Sequence, residues 1–320
     1  MHHFSIFLCH GQVSTWCLTL RQAEVLKSLF QGCSYTLCSS EDEYLADLPQ
    51  ADITLTWLFR QEWFALAPRL RCLSTPAAGR DYFHVQPPAG VLMLNGQFHG
   101  ELMSETALGM VLGMCRGLLS AVTTFGASPW PRRELDARMR PLRGARVLIL
   151  GFGHIGRQVG RLFHALGAHI SGMKRNLAVP PPDWFDQDDE IFGPEDLDSR
   201  LPHADHVLLL LPSDTGTDLL LDRRRLALLP PHATVSNLGR GNCLDADALA
   251  DMLRVGALGG ACLDVFPQEP LPEDSPLRGC PNLWLFPHSS AISPNYLDLY
   301  LQDFARQWAE RGAAFSPKEA

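Results

Sequence analysis

Six residues near the middle of the chain, Gly151-Phe152-Gly153-His154-Ile155-Gly156, carry the spacing G-x-G-x-x-G. They follow the apolar run 146–150 and precede a stretch, 155–166, with helical apolar spacing. A strand, a glycine-rich turn and a helix in that order form a cradle for a dinucleotide. Gly151 permits the tight turn, Gly153 lets backbone approach a pyrophosphate, and Gly156 lets the helix pack closely on the strand. His154 and Ile155 open the helix, whose N–H groups and partial positive charge suit phosphate. The next strand candidate ends Gly172-Met173-Lys174-Arg175-Asn176. An NAD site has an acid near this point to accept bonds from the ribose hydroxyls. Here two cations replace it, and Lys174 or Arg175 would attract a 2′-phosphate. The expected cofactor is therefore NADP in preference to NAD, against the plainer alternative of two solvated charges at a strand end.

These groups need a frame, and apolar patterning supplies one. Strand candidates at 5–9, 35–38, 53–58, 71–74 and 91–95 accompany a helical pattern at 20–30. A longer helix is predicted over 101–124, with Ala107, Gly109, Gly113 and Gly117 allowing close packing, and 126–143 reads as an extended connection. A second alternation follows, with strands at 146–150, 169–173, 207–211, 234–237, 260–264 and 283–286 and a closing helix at 296–310. Strand alternating with helix predicts an α/β chain with parallel sheets.

Composition narrows the function classes. At roughly 150 residues per domain, 320 residues suggest two domains. Net charge is −8 and the longest basic run is Arg223-Arg224-Arg225, which argues against nucleic acid or an anionic membrane as partner. No apolar stretch reaches the roughly 18 residues of a membrane span, and the N-terminus lacks the cationic flank of a signal peptide. Nine cysteines without a C-x-x-C pair, and twelve histidines without zinc-ligand spacing, predict reduced thiols, no metal and a cytoplasmic location.

Three further segments complete the pattern: Ser236-Asn237-Leu238-Gly239-Arg240-Gly241, Asp264-Val265-Phe266-Pro267-Gln268-Glu269-Pro270, and Phe286-Pro287-His288-Ser289-Ser290. In this order, downstream of the glycine fingerprint, they resemble the D-isomer-specific 2-hydroxyacid dehydrogenase family over most of the chain from about 101 to 291. The resemblance implies hydride transfer between a nicotinamide and C2 of a small 2-oxo or 2-hydroxy acid, glyoxylate and hydroxypyruvate being family-level candidates. Arg240 would hold the substrate carboxylate and polarise the carbonyl with its planar cationic fork. His288 would act as general acid and base, and Glu269 would orient its ring and raise its pKa.

Asp264 matches an acidic family position beside the nicotinamide, where it would accept from the carboxamide or from a neighbouring backbone group. Leu211 and Pro212 match the segment lining the adenosine side. The segment Ser74-Thr75-Pro76-Ala77-Ala78-Gly79-Arg80-Asp81 resembles the family's substrate loop, with N–H groups near Ala78 and Gly79 cradling a carboxylate. The implied architecture is two doubly wound Rossmann-like domains with the active site in the cleft between them. Residues 1–98 with 288–320 would bind substrate and 99–287 would bind NAD(P). Such chains usually form homodimers, here tested best at 101–124. The alternative is a nicotinamide-sensing binding protein with little turnover, since the family includes corepressors.

Overall fold

The computed structural model describes residues 2–79, 82–126, 128–136 and 138–311, so Arg80 and Asp81 of the expected substrate loop lie outside the described residues. In chain order the elements begin with β1 (His3–Phe7), α1 (Leu20–Leu29), β2 (Ser34–Leu37), α2 (Glu41–Asp47), β3 (Ile53–Thr56), β4 (Cys72–Thr75) and β5 (Leu92–Asn95). Three helices follow, α3 (His99–Cys115), α4 (Leu118–Thr124) and α5 (Arg132–Asp136). Then come β6 (Arg146–Leu150), α6 (His154–Ala165), β7 (His169–Met173), β8 (Glu190–Phe192), α7 (Leu197–Arg200) and β9 (His206–Leu209). The chain closes with α8 (Arg223–Leu226), β10 (Thr234–Asn237), α9 (Ala246–Arg254), β11 (Gly260–Leu263), β12 (Leu283–Leu285) and α10 (Tyr296–Arg311).

The backbone groups into two units, residues up to 99 with those from 292 onward, and residues 100–291. His288 therefore goes with the second unit, whereas the sequence-based boundary put it in the first. In the first unit five parallel strands run in the order β2-β1-β3-β4-β5. Every residue of β3 and β4 is buried, as a parallel strand covered on both faces requires. Helix α1 starts in a capping box, Thr19 with Gln22, which satisfies two orphan N–H groups at its end. Trp57, just past β3, stacks on Tyr296 at 5.9 Å and gives its indole N–H to the Trp16 carbonyl at 2.8 Å. Its role within this unit is packing.

The second unit holds seven parallel strands in the order β12-β11-β10-β9-β6-β7-β8. Side chains alternate across this sheet. Leu148, Leu150, Val207, Leu209, Val235 and Leu263 join one core, and Val147, Ile149, Ile170, Leu208 and Cys262 join the opposite one. Helix α6 lays Gly156, Val159, Gly160 and Phe163 on the sheet at the 3-and-4 spacing of an amphipathic helix. Burying Val159 and Phe163 stabilises this contact by about 1.5–3 kcal/mol each. Both sheets are doubly wound α/β layers, as the alternation of the sequence predicted.

Local details differ from the sequence-based expectation. The continuous helix over 101–124 is two helices, α3 and α4, because Gly117 takes the left-handed conformation (φ +67°) between them. The extended connection 126–143 contains α5. The edge strand β8 went unseen because its three residues follow a Pro- and Asp-rich run. Helix α9 also went unseen, although Asp245 caps it by accepting from the Ala248 N–H.

Candidate active site

All the chemistry-bearing loops of the second unit leave the carboxyl ends of its strands, where open α/β sheets bind ligands. The turn after β6 is shaped for close approach. Gly151 has φ +102°, and a Cβ there would lie 2.6 Å from the Leu210 carbonyl oxygen. A Cβ on Gly156 would lie 2.3 Å from the Gly151 carbonyl oxygen, so the helix start can sit this close only without a side chain. Gly153 faces open space, with nothing within 4 Å of its Cβ position. It also caps α6 without a side-chain bond, which leaves the first-turn N–H groups to an external acceptor. This combination fits a pyrophosphate. His154 is exposed, with Nε2 3.1 Å from Gln158 Nε2, and Ile155 is half-buried.

Lys174 and Arg175 follow β7 directly. The Lys174 ammonium donates to the Val179 carbonyl at 2.9 Å, and burial, helped by the nearby Arg157 charge, lowers its pKa. Arg175 pairs with Asp214, Nη2 to Oδ2, at 2.9 Å. Leu211 is buried and Pro212 exposed in the segment after β9, where the Pro212 carbonyl accepts from the Thr217 hydroxyl at 2.8 Å.

Arg240, Glu269 and His288 come from the loops after β10, β11 and β12, three strands that are neighbours in the sheet. His288 Nδ1 donates to Glu269 Oε2 at 2.7 Å, while Oε1 of the same carboxylate accepts the Phe266 N–H at 2.9 Å. The other ring nitrogen, Nε2, has no partner among the described residues. Bonding to Glu269 is the main cause that raises the His288 pKa. Burial opposes it, the charges of Glu269 and Asp264 add to it, and Arg240 works against it. Burial would raise the pKa of Glu269, but the bonds from His288 and Phe266 prevail and lower it. The pairing shifts the ring toward its imidazolium form, with one N–H anchored and the other side of the ring available.

Asp264 is fully buried, and of its two expected partners the structure shows the backbone. Its Oδ1 accepts the Ser289 N–H at 2.7 Å and its Oδ2 the Ser290 N–H at 3.0 Å. Its own carbonyl accepts the His288 N–H at 2.9 Å, and His288 sits at φ +51°, a strained position for a residue with a Cβ. Three successive backbone N–H groups of the histidine loop are thus bonded to this one residue.

Ala78 and Gly79 belong to the first unit, in the segment after β4. Asn95 gives its side-chain amide to the Gly79 carbonyl at 2.9 Å, and the Gly96 N–H reaches the Ala77 carbonyl at 3.0 Å. The N–H groups of Ala78 and Gly79 themselves have no acceptor among the described residues. Two adjacent unpaired N–H groups can receive a carboxylate.

Sequence reasoning gave no role to several residues that shape these loops. The buried Asn237 side chain donates to the Arg240 carbonyl at 3.0 Å and accepts from the Gly239 N–H at 3.1 Å, which folds the arginine loop on itself. Gly241 lies against the glutamate loop so closely that a Cβ would stand 1.9 Å from the Phe266 carbonyl carbon. An Asn at a strand end followed by Leu-Gly-Arg-Gly is a turn signal that could have flagged both. Asp214 carried no such signal, since its partner Arg175 lies 39 residues away.

Comparison with known proteins gives a consistent answer. Residues 108–290 match the family model described as D-isomer specific 2-hydroxyacid dehydrogenase, NAD binding domain. The chain is 32% identical over 228 residues to glyoxylate/hydroxypyruvate reductase B of Pectobacterium carotovorum subsp. carotovorum, which covers 69% of each chain. It is 34% identical over 239 residues to (S)-sulfolactate dehydrogenase of Chromohalobacter salexigens, covering 73% of this chain and 74% of that one. Its fold is similar to that of a D-isomer specific 2-hydroxyacid dehydrogenase from Xanthobacter autotrophicus Py2, solved in complex with NADPH and MES. The TM-score is 0.75 at 25% identity, over 99% of this chain and 96% of that one.

Proposed function

Because the chain belongs to the D-isomer specific 2-hydroxyacid dehydrogenase family, we propose that it reduces a small 2-oxo acid of the glyoxylate or hydroxypyruvate type to the D-2-hydroxy acid, with NADPH preferred over NADH. The observation that carries this reading is the 2.7 Å bond between His288 Nδ1 and Glu269 Oε2. A nicotinamide cofactor, bound with its pyrophosphate at the turn 151–156, would supply the hydride. Arg240 binds the substrate carboxylate and draws electron density from the carbonyl through its guanidinium. His288 donates the Nε2 proton to the carbonyl oxygen, and Glu269 keeps that ring protonated and oriented. Asp264 positions the histidine loop through Ser289 and Ser290. The N–H groups of Ala78 and Gly79 serve the substrate carboxylate. Lys174 and Arg175 favour the 2′-phosphate, and the Pectobacterium relative supports the substrate class. The reading includes a homodimer, supported by apolar surface that Leu118, Val122, Phe125 and Trp130 leave exposed on α4 and beyond it.

The test is nicotinamide absorbance with NADPH or NADH and a panel of glyoxylate, hydroxypyruvate, pyruvate, phenylpyruvate and 2-oxoisocaproate. Oxidation of NADPH with glyoxylate or hydroxypyruvate is the expected result. Cofactor binding without turnover of any acid would overturn the reading in favour of a sensing protein.

A further inference from the structure

The end of β7 lacks the acid that a ribose 2′-hydroxyl would use, yet the folded chain brings one there from elsewhere. Asp214 lies on the turn after β9, and in the sheet β9 and β7 flank β6, the strand that carries the glycine fingerprint. Its Oδ2 stands 2.9 Å from Arg175 Nη2. The carboxylate is aimed by its own turn as well as by Arg175. Oδ1 accepts the Gly216 N–H at 2.9 Å, the Asp214 N–H donates to Thr217 Oγ1 at 3.0 Å, and that hydroxyl reaches the Pro212 and Asp214 carbonyls at 2.8 Å each. The two cations at the strand end are therefore not simply poised for phosphate. Arg175 is matched by a fixed anion, and Lys174 is turned to the Val179 carbonyl.

We propose that Asp214 is a specificity-determining residue for the cofactor, supplying across the sheet the carboxylate missing from the end of β7 and restraining selection of the 2′-phosphorylated form. The proposal rests on the dinucleotide reading of the turn 151–156. A phosphate drawn to Arg175 meets the Asp214 carboxylate within the width of one guanidinium, so like charges repel there. A 2′-hydroxyl can instead donate to that carboxylate, as it does to the acid of an NAD site. The Arg175 side chain is 70% exposed, so solvent screens the effect and leaves a bias rather than an absolute choice. The protein accordingly uses both cofactors, with a preference for NADPH smaller than Lys174 and Arg175 alone would produce.

The experiment is calorimetric titration of the full chain with NADP+ and with NAD+, in the original protein and in Asp214→Asn. Asparagine keeps an Oδ1 acceptor for the Gly216 N–H, so the turn is retained while the charge is lost. The expected result is a rise of about fivefold to tenfold in the ratio of Kd for NAD+ to Kd for NADP+ in the variant, shrinking as salt is added. A ratio that stays put, or moves toward NAD+, would overturn the proposal and leave Asp214 as a strut for Arg175 while the dinucleotide reading stands. Failure of the original protein to bind either nucleotide would remove that reading and this inference together.

Discussion

Replacing Gly241 with alanine separates the positioning of the site from its chemistry. Residue 241 touches no reacting group, yet it sets the spacing between the arginine loop and the glutamate loop. A Cβ there would stand 1.9 Å from the Phe266 carbonyl carbon, 2.2 Å from its oxygen and 2.3 Å from the Pro267 nitrogen, all backbone atoms. Ordinary contact begins at 3.4 Å, so the two loops must part by about 1.5 Å. No flexible side chain is available to absorb that movement. Since Arg240 precedes Gly241 directly, and the Phe266 N–H anchors Glu269, the shift reaches both ends of the constellation. A misplacement of about 1 Å lowers rate about a hundredfold, and overpacking of this kind destabilises by about 1–3 kcal/mol. The assay is steady-state NADPH oxidation with the best acid of the panel, beside thermal unfolding of both proteins. The expected outcome is a fall of about a hundredfold in kcat/KM at a temperature where the variant is fully folded. Activity within about threefold of the original, well short of that estimate, would refute the claim that this contact sets the distance between the two loops.

Two further outcomes follow from titration. In the proposed reaction His288 gives the proton, and Glu269 raises its pKa, so activity should persist below the raised pKa and be lost as pH rises through it. In Glu269→Gln that alkaline fall should move to lower pH; a pH–rate profile with an unchanged limb would remove Glu269 from this role. His206 is buried beside Thr234, and burial pushes its pKa down from 6.5 to about 4. The folded state therefore resists a proton that the unfolded chain accepts, so stability is fully present above pH 6.5 and is lost as pH falls toward 4. The loss is about 3 kcal/mol. Denaturant unfolding across that window should show a shallower decline in His206→Gln, and equal slopes would place the acid sensitivity elsewhere.

Although the close approach at Gly151 is to Leu210, far along the chain, the glycine fingerprint was legible because strand, turn and helix are consecutive. The same holds for Lys174 and Arg175 at the end of the following strand, and for the alternation that marked both sheets. Arg240, Glu269 and His288 could be named from motif order, but nothing local required that they meet. They converge because β10, β11 and β12 lie side by side, an arrangement chosen by packing of the whole sheet. Where local pattern competed with backbone conformation it misled, as at Gly117, whose helical neighbours concealed a left-handed break. Only the tertiary structure turned the Asp264 carboxylate to Ser289 and Ser290, 25 and 26 residues onward, and brought Asp214 to Arg175. A carboxylate in a sequence has a charge but no direction. Its partner is decided by which strand ends the fold places next to each other, and by the energy of leaving a buried charge without a donor.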